Sequence, residues 1–490
     1  KALISAVKAN KVSEDLINDK VKRILSVAEF SKRFDEPNIK NEEALDRPAH
    51  RKLLRKAAAD GMVLLKNEGL LPLKKDIKKL AIIGPNAKEA QIIGGGSASL
   101  RPHYQIHPLE ALQQRLGSET KILYSKGCHT HKYLPKINEK LMADTDGFLV
   151  EYFNGNNFNE SLILEERLIG SKFWVFEGFA KDVISKEERP NISVKFSCEY
   201  TPDISGQHEF EIFGIGQCRL LINDEELIDN WNNPDPGEAF FTFGSASRRS
   251  IVDFQKGKTY RIEMQYHFEG SFPAVYIGCQ VPDEVDLFAE AIEAASNAEE
   301  VVLIVGTNSD WETEGNDRAN FDLPANQNKL IEAILEVNQN TALVVNTGSP
   351  VNMPWANKAN AIIQTWFAGQ EFGNALFDIL SGEVNPSGKL PTSFPKNIED
   401  TPAYKSYPGT DLQMNYDEKL LVGYRWYEKN SIKPLFCFGH GLSFTKFKYE
   451  DLDVTIESDM EVSCKFTIQN NGNMAGLETA QCYVGFSEPL

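Results

Sequence analysis

Short apolar runs alternate with amphipathic stretches along much of the chain. Residues 80–84 (LAIIG), 121–124, 301–305 (VVLIV), 342–345 and 361–365 read as strands with no polar face. Helical spacing predicts helices over 108–116, 285–298, 326–338 and 374–380. Continuous apolar strands alternating with helices predict a mostly parallel sheet covered on both faces. Residues 1–34 are helical in pattern, with Leu16, Ile17, Val21, Ile24 and Leu25 on one stripe and Ser13 placed as a cap.

That rhythm breaks between about Thr145 and Val281. The stretch is rich in Phe, Tyr, Val and Ile, and alternates at 208–212 and 259–266. Turns at Asn223-Asp224 and at Lys256-Gly257-Lys258 punctuate it, so an all-β module is predicted inside the α/β region. Segments that accept an insertion lie on the surface and often border a site. From Phe447 the chain is β again: Val462, Cys464 and Phe466 alternate, Asn470-Asn471-Gly472 makes a turn, and 481–490 reads as a strand without a closing partner. Both ends look cut, which suggests a fragment.

Composition changes this picture little. A length of 490 residues is enough for several cores. The net charge of −18 argues against nucleic acid and against an anionic membrane as partners. No apolar run approaches the roughly 18–20 residues that span a bilayer. Seven cysteines, odd in number and without a CxxC pair, argue against a disulfide framework or a zinc site. Buried thiols in a reducing compartment fit better, which favours the cytoplasm while leaving the compartment open. The eight His are scattered, so neither a metal nor another cofactor is expected.

Chemistry concentrates in residues 306–324, GTNSDWETEGNDRANFDLP, directly after a predicted buried strand. Loops at that end of an open α/β sheet form the binding crevice. Five acidic residues and one Arg lie within this stretch. A solvated loop would look similar. A Glu beside a Gly can approach a ligand closely, however, and Asp317 and Arg318 can pair with each other or with neighbours and hold the loop rigid. The loop Gly94–Arg101 (GGGSASLR) lacks phosphate-cradle spacing and reads as a tight turn that lines a site. His440, between two Gly, reads as a turn residue. Trp231 is either a sugar-stacking platform or core of the β module, and Phe240 and Phe241 share that ambiguity.

The pattern Glu314-Gly315, Asp317-Arg318, Leu323-Pro324 resembles the acid/base loop of glycoside hydrolase family 3 β-glucosidases. Further segments resemble that family in order. They are 22–25 (KRIL), 63–73 (VLLKNEGLLPL), 385–395 (NPSGKLPTSFP), 422–427 (VGYRWY), 438–444 (FGHGLSF) and 471–483, with Gly472, Gly476, Glu478 and Gln481. Residues 147–281 resemble a protective-antigen-type β module through 206–210 (GQHEF) and 227–231 (LIDNW). The resemblance implies a multidomain α/β plus all-β chain. Residues 1–45 would be a remnant helix of a (β/α) barrel with its linker. Residues 46–145 plus 282–400 would form an α/β sandwich, interrupted at 146–281 by the inserted β-sandwich or barrel module. Residues 401–446 would be a linker segment, and 447–490 a partial fibronectin type III-like domain.

What the resemblance implies chemically is a retaining exo-β-glucosidase acting on short oligosaccharides and aryl glucosides. Glu314 would be the acid/base. The nucleophile would lie in the missing barrel, leaving this chain inactive alone. In a retaining pair two carboxyl groups flank the bond about 5–5.5 Å apart. Asp310 and Glu314, four residues apart on one loop, would grip a sugar from one side, so Asp310 is rejected as nucleophile despite its SDW context. Trp231, Asp310 and Arg318 remain substrate-binding candidates, and Glu312 is the rival to Glu314. Glu314 would need a raised pKa to act as an acid near neutrality. β-Xylosidase specificity, a glycan-binding role for the insert, an inactive fragment and a homo-oligomer stay open.

Overall fold

The computed structural model describes residues 1–38, 41–138, 142, 147–183, 191–458 and 461–485. By contacts the chain forms two units, Lys1–His50 and Arg51–Leu490. The first carries two helices where one was expected, α1 (Ala2–Lys8) and α2 (Glu14–Phe30). The break follows from Asn10, which turns left-handed, and from Ser13, whose hydroxyl caps α2 by accepting from Leu16 N–H at 3.3 Å. The predicted apolar stripe forms, and Leu16, Val21, Ile24 and Leu25 on it are exposed.

The second unit is mixed α/β with several sheets. It takes in most of α3 (Pro48–Gly61), then β1 (Val63–Asn67), β2 (Lys79–Ile83), α4 (Pro108–Leu116) and β3 (Lys121–Ser125). Ten strands follow: β4 (Phe148–Asn154), β5 (Leu162–Leu168), β6 (Lys172–Trp174), β7 (Asn191–Tyr200), β8 (Gly206–Ile215), β9 (Gln217–Ile222), β10 (Glu225–Asn230), β11 (Arg248–Phe254), β12 (Tyr260–Glu269) and β13 (Ala274–Gln280). The α/β rhythm then returns in α5 (Leu287–Ser296), β14 (Glu300–Gly306), α6 (Gln327–Val337), β15 (Thr341–Asn346), β16 (Ala361–Gln364) and α7 (Phe372–Leu380). Last come α8 (Tyr424–Lys429), β17 (Phe447–Ser458) and β18 (Glu461–Asn470).

The central sheet has the order β1-β16-β15-β14-β2-β3. Its pairs are parallel except β1, which runs antiparallel on the edge. Every residue of β14, β15 and β16 is buried, which is why these strands show no polar face in sequence. Side chains alternate between two cores. Val302, Ile304 and Val344 face one with α4 and α7; Val301, Leu303 and Val345 face the other with α5 and α6. Asp286 caps α5 through Phe288 N–H and Ala289 N–H, and α6 buries Leu330, Ile331, Ile334 and Leu335 at helical spacing.

β4 to β13 build two further sheets, β10-β9-β12-β7-β4-β5 and β11-β8-β13-β6. Their shared core is aromatic, with Phe148, Tyr152, Phe196, Tyr200, Phe210, Phe254 and Tyr266 buried. Lys136 and Met142 also pair with these sheets, through isolated bridges to Gly278 and Tyr200. The predicted start of the module at Thr145 falls outside the described residues. β17 and β18 form a hairpin. Residues 481–485 are not a strand, contrary to expectation, and Gln481 donates through its side chain to Gly439 O at 2.9 Å. Residues 486–490 lie outside the described residues. All seven cysteines are free, but Cys437, Cys464 and Cys482 are exposed rather than buried.

Truncating Ile304, fully buried at the sheet centre, should cost about 2–5 kcal/mol. Chemical denaturation of Ile304→Ala checks this as a lowered midpoint.

Candidate active site

A cleft of ≈ 570 Å³ opens above the carboxyl ends of the parallel strands. Four loops line it: 94–98 after β2, 311–318 after β14, Gly348-Ser349 after β15, and Phe367 after β16. Buried amides fix where these loops leave the sheet. Asn346, at the end of β15, accepts from Asn86 Nδ2 and Gln91 N–H at 2.9 Å each, and donates to Gln91 O and Trp366 O. Asn86 Nδ2 also donates to Thr307 O at 3.0 Å.

The loop after β14 has no regular structure, so side chains must hold it. Asn308 Oδ1 accepts from the N–H groups of Asp310 and Trp311. Glu312 turns back to the sheet. Its carboxylate accepts from Thr307 hydroxyl at 2.5 Å, Gly348 N–H at 3.0 Å and Ser349 hydroxyl at 3.2 Å. The glycine-rich loop packs against it, with Gly95 N–H donating to Glu312 O at 2.9 Å. A Cβ at Gly96, which has φ +69°, would lie 2.6 Å from Glu314 Cβ, so the contact requires glycine.

Glu314 projects from this support into solvent. Its Oε2 accepts from Ser97 N–H at 3.0 Å and from the Ser97 hydroxyl. The Ser97 hydroxyl, then the Ser97 amide, lower its pKa. The raised value expected of an acid is not present: both bonds favour the charged form and little burial opposes them. The stabilisation they give is therefore present above the ordinary carboxylate range and fades as pH falls through the lowered pKa.

Asp317 and Arg318 take the second of the two arrangements open to them, each bonding to neighbours on other segments. Asp317 accepts from the Tyr407 hydroxyl. Arg318 Nη2 reaches Ser349 Oγ at 3.1 Å and Pro350 O at 3.0 Å, and burial lowers its pKa. Two bonds on one side and a carboxylate turned to Tyr407 on the other leave the neighbours facing apart. Glu314 and Arg318 thus share the cleft. Asp310 is on the same loop but outside the cleft lining; burial raises its pKa, against the charges of Lys172, Lys132 and Lys136. Trp231 lies elsewhere, packed 6.1 Å from Phe158 and 6.1 Å from His267, with Arg219 over its ring. His440 Nε2 contacts Leu65 O at 2.8 Å.

Sequence reasoning missed two features. Ser97 lay in a loop flagged for its glycines, and its serine carried no signal of its own. The other is an aromatic hollow of ≈ 710 Å³ walled by Trp174, Phe176, Phe240, Phe241, Phe243 and Phe272. Phe240, Phe241 and Thr242 all have left-handed backbones, and this turn brings Phe241 against Gly315, beside Glu314.

The family model for the Glycosyl hydrolase family 3 C-terminal domain matches residues 62–444. The chain belongs to this family. It is 36% identical to a probable beta-glucosidase I of Emericella nidulans, covering 99% of this chain and 60% of that protein. It is 37% identical to a probable beta-glucosidase I of Aspergillus niger, covering 99% and 61%. The crystal structure of a β-glucosidase from Kluyveromyces marxianus superposes with a TM-score of 0.82 at 32% identity, covering 97% of this chain and 59% of that one. That enzyme is also known in complex with glucose. The chain thus spans about 60% of the length of the curated relatives it matches.

Replacing Ser97 by Ala should raise the Glu314 pKa towards the ordinary carboxylate range. A carboxyl-carbon NMR titration reads the shift; an unchanged or lower value would contradict the hydrogen-bond account.

Proposed function

We propose that this chain supplies the acid/base half of a retaining exo-β-glucosidase site, with Glu314 as acid/base and the nucleophile on a (β/α) barrel outside the chain. The observation that carries this reading is the division of labour on one loop. Glu312, the rival, is fully engaged by Thr307, Gly348 and Ser349, whereas Glu314 extends into the cleft from a glycine-supported turn. The names of the relatives support a β-glucoside as substrate.

A barrel closing over the cleft would raise the Glu314 pKa in two ways: by removing water and by bringing a second carboxylate near. Glu314 would then protonate the glycosidic oxygen as the nucleophile attacks the anomeric carbon. Formation of the glycosyl-enzyme consumes the nucleophile's charge, so the Glu314 pKa falls again. The Ser97 bonds would then favour the carboxylate, which takes a proton from the attacking water. The aromatic hollow beside Gly315 would narrow the leaving-group side and favour short oligosaccharides and aryl glucosides. We assign the β4–β13 sheets to a protective-antigen-type module and the β17–β18 hairpin to part of a fibronectin type III-like domain.

In the longer polypeptide that this proposal requires, Glu314→Ala should cut turnover of an alkyl β-glucoside by about 10²–10⁴. Azide should partly restore turnover with an activated aryl glucoside and yield a β-glucosyl azide. Full activity in that variant would remove Glu314 from the mechanism.

A further inference from the structure

We propose that Lys132 is a positioning residue for Glu314, an inference that rests on the acid/base reading above. Lys132 follows β3 and precedes the β sheets of the module. Its main chain is fixed there by Arg249 of β11, whose Nη2 donates to Lys132 O at 2.9 Å. Arg249 is itself held by the fully buried Glu211 at 3.1 Å. Only 17% of the Lys132 side chain is exposed, so its ammonium sits in fixed surroundings.

That ammonium serves both flanks of Glu314. On the carboxyl-terminal flank, Lys132 Nζ donates to Glu238 Oε2 at 2.9 Å. Glu238 in turn offers its backbone oxygen to Asn316 Nδ2 at 3.0 Å, two residues past Glu314. On the amino-terminal flank, Lys132 Nζ lies 5.8 Å from the Trp311 ring centroid, within cation–π range. Trp311 Nε1 also donates to Thr130 O at 2.8 Å, two residues before Lys132. The charge of Lys132 further favours the ionised form of the half-buried Asp310, next to Trp311. One cation from the module side therefore grips the acid/base loop at residues 310–311 and, through Glu238, at residue 316. The glycine-rich loop supports the opposite side. The β module would then act on proton transfer as well as on the space around the leaving group.

A loosened acid costs most where the leaving group needs its proton. A dinitrophenyl leaving group departs as a stable anion and needs little help; methanol departs only if protonated. The test measures kcat/KM for methyl and 2,4-dinitrophenyl β-D-glucosides in the full-length polypeptide. Lys132→Met keeps the stem and removes the charge. It should lower the methyl glucoside value about tenfold more than the dinitrophenyl value, and Lys132→Arg should restore most of the difference. Glu238→Gln, a change at a largely exposed carboxylate, should show the same selective loss without a risk to folding. Equal losses on both substrates, or none, in Lys132→Met and Glu238→Gln would overturn the proposal. Glu314→Ala is measured alongside. A selective loss there beside non-selective losses in the other variants would overturn only the role of Lys132. The absence of selectivity in Glu314→Ala would overturn the acid/base reading and this inference together.

Discussion

The site depends first on the Glu312 carboxylate. The loop after β14 leaves the sheet without helix or strand to continue it, and Glu312 ties it back through Thr307, Gly348 and Ser349. These are charge-assisted bonds, one within the loop itself and two to the loop after β15, each stronger than a neutral one. Glu312 faces the sheet, while Glu314, two residues on around the turn, faces the cleft. The acidic residue that looks redundant in sequence thus holds the loop that carries the other.

That anchor works because the floor beneath it is rigid. β14 and β15 pair in register up to Gly306 and Asn346, and Asn346 then ties the loops after β2 and β16 together with one buried amide. The glycine-rich loop supplies close backbone approach on one side, and the module segment around Lys132 and Glu238 supplies ionic and aromatic contact on the other. Held this way, Glu314 has the fixed position that the proposed proton transfer in both directions would ask of it.

Much of the framework was legible in the sequence. Residues 301–305 announce a doubly buried strand by having no polar face, and the aromatic-rich stretch around β7, β8 and β12 announces a β module by its alternation. The helix α3 was less visible, because it buries Ala58 and Ala59 while Leu53 and Leu54 face solvent, so its apolar residues mislead. In the site, the glycine-rich loop and the acidic loop were each recognisable, but their contact was not. Ser97 and Glu314 are 217 residues apart, and only the parallel order of β2 and β14 brings them together. The protonation preference of Glu314 is therefore set by a residue that no local pattern could name. The same holds for Asp317 and Arg318, adjacent in sequence and drawn apart by Tyr407 and Ser349.

A retaining mechanism needs a second carboxylate across the bond, and Asp310 lies outside the cleft lining. The most direct measurement is hydrolysis of an aryl β-D-glucoside by this chain alone. The account predicts no turnover above background. Turnover that disappears in Asp310→Ala would contradict it, because the nucleophile would then lie within the chain.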